Sequence, residues 1–440
     1  MFRVIRFIFG AMLIGLITTL SACTANPVTP TPTPTATLVL PSTMPLSVAR
    51  PPTAVPAAST AMTLTIWLPA SFDDASARQI LSQQLNAFAA SIDGAPSRVL
   101  IKNDHGPGGL LDLLKSASPV APGILPDVIA LDTTDLETAA RLGLIQPIDS
   151  LLPADVSADL FPAARDLATH DGKLYGVVVS ADLEHLAYNT KVMAASPAQW
   201  SDILTSTRPV VYVFSLHDGS GVSDSVLAHY FALGGQVVDT NGRPTLDQPA
   251  LLALLNLYQQ AQRRNILPAN VLELDDSTQV WNTFRSSGAA IVDVQASRYM
   301  SIVLDSPSIQ FAPLPAVDQS IAPIARGWAL ALVTHDPHRQ APAIRLMQRL
   351  ASPLNNGAWT QSARTLPGRI SALAQWDQSD PYTGFVHDQL ARAQAAPPAS
   401  ITNVIGPIMR KAIDDVLSGH ATPEEAAQLA VMTVGAGKAP

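Results

Sequence analysis

Pro126–Leu152 reads PDVIALDTTDLETAARLGLIQPIDSLL. Asp127–Leu131 is an apolar run of strand length. Asp132 stands where that run ends. Thr134–Leu142 then reads as a helix that stops at Gly143, the residue that most readily adopts the left-handed backbone of a helix C-terminus. A strand, a polar corner and a helix in one stretch make an α/β unit. Asp132 falls at the carboxyl end of the strand, where open α/β sheets place ligand-contacting residues. Its other reading is as a cap for the helix that starts beside it.

The same alternation continues outward in both directions. Met62–Leu68 alternates like a strand, and Ser76–Ala90 puts Leu81, Leu85 and Phe88 on one helical face. Arg98–Lys102, Leu174–Val179, Val210–Phe214, Ala289–Val294 and Trp328–Val333 read as further short strands. Asp247–Arg264 is an amphipathic helix, with Asp247 as N-cap and Leu251, Leu254, Leu255 and Tyr258 at helical spacing. Val404, Ile408, Met409, Ile413 and Val416 mark another. Thr422-Pro423-Glu424-Glu425 reads as a capping box with proline at the first helical position. Strands alternating with helices predict α/β architecture with covered sheets. The folded part is expected to begin at Met62, leaving 440 − 61 = 379 residues. Single cores stop growing at about 250–300 residues, so two lobes are expected.

The N-terminal residues predict export. Arg3 and Arg6 precede an apolar run, Phe7–Leu20, and then Leu20-Ser21-Ala22-Cys23; this is the pattern of a secretory signal. The run is shorter than the roughly 20 apolar residues of a membrane span. The last four residues resemble the lipobox of bacterial lipoproteins, in which the cysteine is lipidated and becomes the new N-terminus. Residues 1–22 are therefore expected to be a signal peptide and Cys23 the anchor. Cys23 is the only cysteine of the chain, so it cannot form an internal disulfide. Thr24–Ala61 holds nine prolines and nine threonines and reads as an extended tether, so 23–61 is lipidated cysteine plus linker. Loss of residues 1–22 removes two arginines and no acid, which takes the net charge from −8 to −10. With no basic stripe, nucleic acid is not an expected partner.

Catalytic and metal motifs are not found. Asp73-Asp74, Asp275-Asp276 and Asp414-Asp415 are sequence neighbours, and acid–base pairs need a defined separation in space instead. His335 and His338 flank a loop-like Asp336-Pro337 without a zinc-binding HExxH. Gly219-Ser220-Gly221 lacks the spacing of a nucleophile elbow. Gly106-Pro107-Gly108-Gly109 has no following Lys-Ser/Thr for phosphates. No cofactor and no enzymatic activity are expected.

Several short motifs share one order along the chain. They are Thr65-Ile66-Trp67; Pro126–Leu152, closing in Gly143-Leu144-Ile145-Gln146-Pro147-Ile148-Asp149; Asp171-Gly172-Lys173-Leu174-Tyr175-Gly176; and Tyr188-Asn189. Pro197 to Trp200, Gly234-Gly235, Phe284 to Ala290, Leu314-Pro315, Gly327-Trp328 and Leu366-Pro367-Gly368-Arg369 follow. In this order and spacing, Leu64 to Ala430 resembles family 1 extracellular solute-binding proteins of ABC importers, the group that includes maltose-type sugar receptors. The chain departs from the family at Val177-Val178-Val179, where proline often follows Tyr-Gly, and its aromatic content is only 5%, which is lean for a sugar receptor.

The resemblance implies a two-lobed periplasmic-binding-protein-like fold (type II), its lobes joined by a hinge of three chain crossings. These would lie near Ser180–Glu184, Ala316–Arg326 and Arg364–Ile370. The N-terminal lobe is then 62–181 plus 324–364, and the C-terminal lobe 185–316 plus 370–440. Ligand-contacting candidates follow from the same alignment. Asp132 would accept from hydroxyls or cap its helix. Asp182 would face ligand or make a hinge hydrogen bond. Trp328 would stack on a sugar ring or pack between lobes. Arg369 would donate to hydroxyls or form a structural ion pair. Trp281 and Tyr299 would line the cleft or belong to the core. Trp200 matches a structural position of the family.

The implied function is an extracellular or periplasmic lipoprotein, anchored to the outer face of the cell membrane. It would capture a sugar or oligosaccharide and deliver it, as a monomer, to an ABC permease. Two alternatives stay open: a ligand-sensing or assembly lipoprotein that keeps the fold, and a receptor for a polyol phosphate, for which Arg298, Arg326 and Arg369 are the candidate cations.

Overall fold

The computed structural model describes residues 62–437, apart from 209, 220, 304–305 and 318–319. The expected signal peptide, Cys23, the tether and Ser220 lie outside the described residues.

Among the described residues, nine strands form one mixed sheet. They are β1 (Leu64–Pro69), β2 (Ser97–Lys102), β3 (Val128–Asp132), β4 (Gly176–Asn189), β5 (Tyr212–Val213), β6 (Ile291–Gln295), β7 (Ile309–Ala312), β8 (Ile324–Leu332) and β9 (Gln394–Ala395). The order is β2-β1-β3-β8-β4-β6-β5, with β7 also on β4 and β9 on β8. β1 runs parallel to β2 and β3, whereas β8 is antiparallel to both β3 and β4. The α/β expectation holds, and most strands fall within a few residues of their predicted positions.

Two strands are longer than predicted. Apolar residues suggest a strand over Leu174–Val179, but β4 runs for 14 residues. Its first half lies along β8, and Glu184–Asn189 lies along β6 and β7. β8 likewise starts at Ile324, upstream of Trp328. The extra residues include Ser180, Asp182, Glu184 and Arg326, whose polarity breaks the apolar pattern. The backbone stays extended there because its hydrogen bonds are met by neighbouring strands.

Local chemistry explains the element ends. Asp74 caps the helix Ala75–Ala89, and Asp247 caps Gln248–Arg263, accepting from the Ala250 amide at 2.9 Å. The predicted Thr422 capping box is present. Asp171 and Gly172 both take positive φ, 47° and 73°, between the paired Thr169–His170 and Lys173–Leu174. Two such residues suit a tight hairpin turn.

Buried apolar side chains form two clusters. One gathers Leu64, Ile66, Ile129, Leu131, Leu330 and Leu346. The other gathers Trp200, Tyr212, Phe214, Leu254, Tyr258 and Ile413. Full burial of each large apolar side chain is worth roughly 1.5–3 kcal/mol. Trp200 donates to His229 at 3.3 Å, and His229 pairs with the Tyr258 hydroxyl at 2.9 Å. Burial holds His229 well down, at about 3, so this ring is neutral in a dry core.

One glycine sets the spacing of the central strands. A Cβ on Gly327 would sit 2.4 Å from the Ser180 carbonyl oxygen, closer than atoms can approach. Glycine therefore lets β8 lie against β4 at the point where Trp328 follows.

Candidate ligand-binding site

Strand register assembles the site. Across the central strands Trp328 stands opposite both Asp132 and Ser180, and Arg326 stands opposite Asp182. Asp132, Ser180, Asp182, Arg326 and Trp328 line a cavity of about 360 Å³ with Phe72 and Trp359. Arg326 also lines a neighbouring cavity of about 260 Å³, with Glu184, Asp224, Trp281 and Asp293. It lines a third of about 210 Å³, beside Thr134 and Asn403. Arg326 thus lines all three spaces.

Asp132 caps its helix and also lines the cavity. Its Oδ1 accepts from the Thr134 amide at 2.9 Å and the Thr134 hydroxyl at 2.5 Å, capping Thr133–Arg141, while the residue stays half-buried at the cavity. Asp182 Oδ1 accepts from the amides of Leu183 at 2.9 Å and Ser297 at 3.2 Å, and its Oδ2 accepts from the Ser297 hydroxyl. Burial pushes its carboxyl up to about 6 despite those bonds. Trp328 is half-buried, edge-on to Phe72 at 5.8 Å and 5.6 Å from the His105 ring. Trp281 is buried against Phe284 at 5.2 Å and borders the 260 Å³ cavity.

Two candidates are not brought to these cavities. Tyr299 is 2% exposed, in a cluster with His185, Phe311 and Tyr382. Arg369 is 6% exposed, and its donors are engaged by Asp159 at 2.7 Å and the Ala351 carbonyl at 2.8 Å. The ion-pair alternative weighed for Arg369 is the one its geometry matches.

Several lining groups were not among the sugar-contacting candidates, Arg326 having been named only as a possible phosphate partner. Arg326 makes a two-pronged pair with Asp224, at 2.6 and 2.8 Å. Burial works against the guanidinium charge, but Asp224 outweighs it and the pKa is raised. Glu184 and Asp293 share the Ser225 hydroxyl, at 2.6 and 2.7 Å, and Asp293 also accepts from Tyr212 at 2.7 Å. Trp359 lines the 360 Å³ cavity, and its Nε1 is buried without a hydrogen-bond partner among the described residues. Asp293 left one signal: a lone acid inside the predicted strand Ala289–Val294. Glu184 ended an expected crossing and was not singled out.

Burial, then the nearby Asp224 and Asp293 charges, push Glu184 up to about 8; burial pushes Asp293 up to about 7. An acid raised on folding favours the folded state below its unfolded pKa, and that contribution is lost as pH rises through the folded pKa. Stability should therefore fall between about pH 4.5 and 8 on this account. Glu184→Gln is expected to flatten the fall, which urea titrations at pH 5 and pH 8.5 would check. An equal pH response in both proteins would remove Glu184 as its source.

Comparison with known proteins places this arrangement. A family model for bacterial extracellular solute-binding proteins matches residues 114–384, more than half of the chain. A maltotriose-binding protein from Pyrococcus abyssi is 24% identical over 216 residues, 47% of this chain and 45% of that protein. The alignment thus spans under half the length of this curated relative. A solved cyclic α-maltosyl-1,6-maltose binding protein from Arthrobacter globiformis matches with TM-score 0.71 and 17% identity, covering 86% of this chain and 98% of that one. A cyclo/maltodextrin-binding protein complexed with maltotetraose matches with TM-score 0.69 and 21% identity, covering 85% and 97%. The fold is the α/β periplasmic-binding-protein fold.

Proposed function

This chain belongs to the bacterial extracellular solute-binding protein family, and we propose that its solute is a sugar or oligosaccharide, held between two lobes and delivered to an ABC permease. Proteins of this family bind their solute and do not transform it, so the chain is a receptor and not an enzyme. The observation that carries the saccharide reading is the 360 Å³ cavity. There the half-buried Trp328 ring stands beside the carboxylates of Asp132 and Asp182. Sugars offer C–H-rich faces to an aromatic ring and hydroxyl donors to carboxylates. The sugar-binding descriptions of the relatives support the same class.

The lobes are 62–181 plus 324–364 and 185–316 plus 370–440. The ligand favours the closed form through contacts that exist only there. A polyol phosphate is less well served. Arg326 is engaged by Asp224, Arg369 by Asp159, and Arg298 donates to Thr278 at 2.7 Å.

A thermal-shift screen of the full chain against neutral saccharides, amine-bearing saccharides and polyol phosphates tests this reading. Ligand at 100 times its dissociation constant adds about 2.7 kcal/mol to the folded state, a visible shift. A shift with a neutral or amine-bearing saccharide supports it. Shifts only with phosphates would replace it, and no shift would favour the sensing or assembly role. Cys23 is proposed as the lipid anchor on the outer face of the membrane. Cys23→Ser is expected to move the protein from the membrane fraction to the soluble one, and unchanged membrane retention would remove the anchor.

A further inference from the structure

Beyond the Trp328 cavity, the 260 Å³ space has an unusual wall. It presents six carboxylates, Glu184, Asp218, Asp224, Asp275, Asp276 and Asp293, and one lining arginine, Arg326. Both prongs of that arginine engage Asp224, which leaves it little for the other five acids. Arg410 approaches Asp275 only to 3.5 Å and is shared with Asp414 at 3.7 Å.

The hydrogen-bond inventory points the same way. Ionised carboxylates only accept. Two of the three serine hydroxyls that line this wall are engaged, which leaves Ser277 and the Gln295 amide as side-chain donors besides Arg326. Ser215 donates to the His217 and Leu274 carbonyls, and Ser223 donates to the Ser215 carbonyl. His217 is 2% exposed, with Nε2 2.7 Å from Asp414. Because Asp414 accepts, Nε2 carries a proton, and the ring's other nitrogen is Nδ1. That Nδ1 makes no hydrogen bond among the described residues, although Asp275 Oδ1 lies 3.3 Å away. A sugar hydroxyl donates once and accepts twice, so a neutral ring finds acceptors here and few donors. An ammonium has three donors and no acceptor, which matches.

We propose that the solute is an amine-bearing saccharide whose ammonium enters the cavity formed by Glu184, Asp224 and Asp293 while a sugar ring lies on Trp328. This rests on the saccharide reading and narrows it. Gln295 and Arg326 line both cavities, so one ligand can reach from ring to amine. Trp281 borders the acidic space, and a cation gains further from an indole face. Without a cation, burial favours protons on Glu184 and Asp293, and the Asp224 and Asp293 charges add to the effect on Glu184. A ligand ammonium replaces those protons as the neutralising charge.

Isothermal titration of the full chain with two matched pairs tests this: chitosan trisaccharide against cellotriose, and 6-amino-6-deoxymaltotriose against maltotriose. In at least one pair the amine-bearing member is expected to bind tenfold or more tighter. The double variant Glu184→Gln/Asp293→Asn is expected to cut that ratio below threefold. Should the double variant not fold, exposed Asp218→Asn is expected to lower the ratio about threefold. Neutral members binding as tightly as the amines, or a ratio unmoved by these changes, would overturn the charge preference and leave the saccharide reading standing. If neither these compounds nor the saccharides of the thermal-shift screen bind, the saccharide reading itself fails.

Discussion

Arg326→Leu is expected to lower the unfolding free energy by about 3 kcal/mol, the low end for breaking a buried ion pair. Arg326 reaches Asp224 at 2.6 and 2.8 Å, with side chains 30% and 16% exposed. The pair ties β8 to the start of the helix Asp224–Ala232. Leucine removes the cation and leaves Asp224 beside Glu184 and Asp293, three carboxylates in one poorly solvated space. The cost lies mainly in the stranded charges, so Arg326→Leu/Asp224→Leu should be less destabilised than the single change. Urea titration at pH 7.5 reads both. A single-variant cost under about 1 kcal/mol would mean that water screens the pair as it does at a surface.

Trp328→Ala is expected to weaken saccharide binding by about 30-fold or more, the roughly 2 kcal/mol of a central aromatic contact. The ring is half-buried against Phe72 and His105 and borders the 360 Å³ cavity. Its loss should also cost some stability, so titration calorimetry belongs beside a denaturation curve. A fall in stability with unchanged affinity would make Trp328 a packing residue and move the sugar platform elsewhere.

Much of the architecture was legible locally. The strand–helix unit at Pro126–Leu152, the Asp247 cap and the Thr422 capping box depend on residues within about four positions of one another, and a sequence records such relations directly. The motif order from Thr65 to Arg369 pointed to the family. Strand extent was less legible where Ser180, Asp182, Glu184 and Arg326 interrupted the apolar pattern, because their place in strands depends on partners across the sheet.

The site divides in the same way. Asp132, Asp182 and Trp328 could be nominated from positions near strand ends and crossings, and the sheet register sets Trp328 opposite Asp132 and Arg326 opposite Asp182. Arg369 carries the same kind of motif signal, yet Asp159, 210 residues earlier, holds its guanidinium. By itself the sequence determined the α/β class, the helix caps and the candidate strand-end residues, since each follows from local periodicity and local hydrogen bonding. Only the tertiary structure decided the charge balance of the cleft. Arg326 and Asp224 are 102 residues apart, and Glu184 and Asp293 meet only when β4 pairs with β6. Whether a charge is matched depends on what folding brings within a few ångströms of it, and burial then multiplies the consequence.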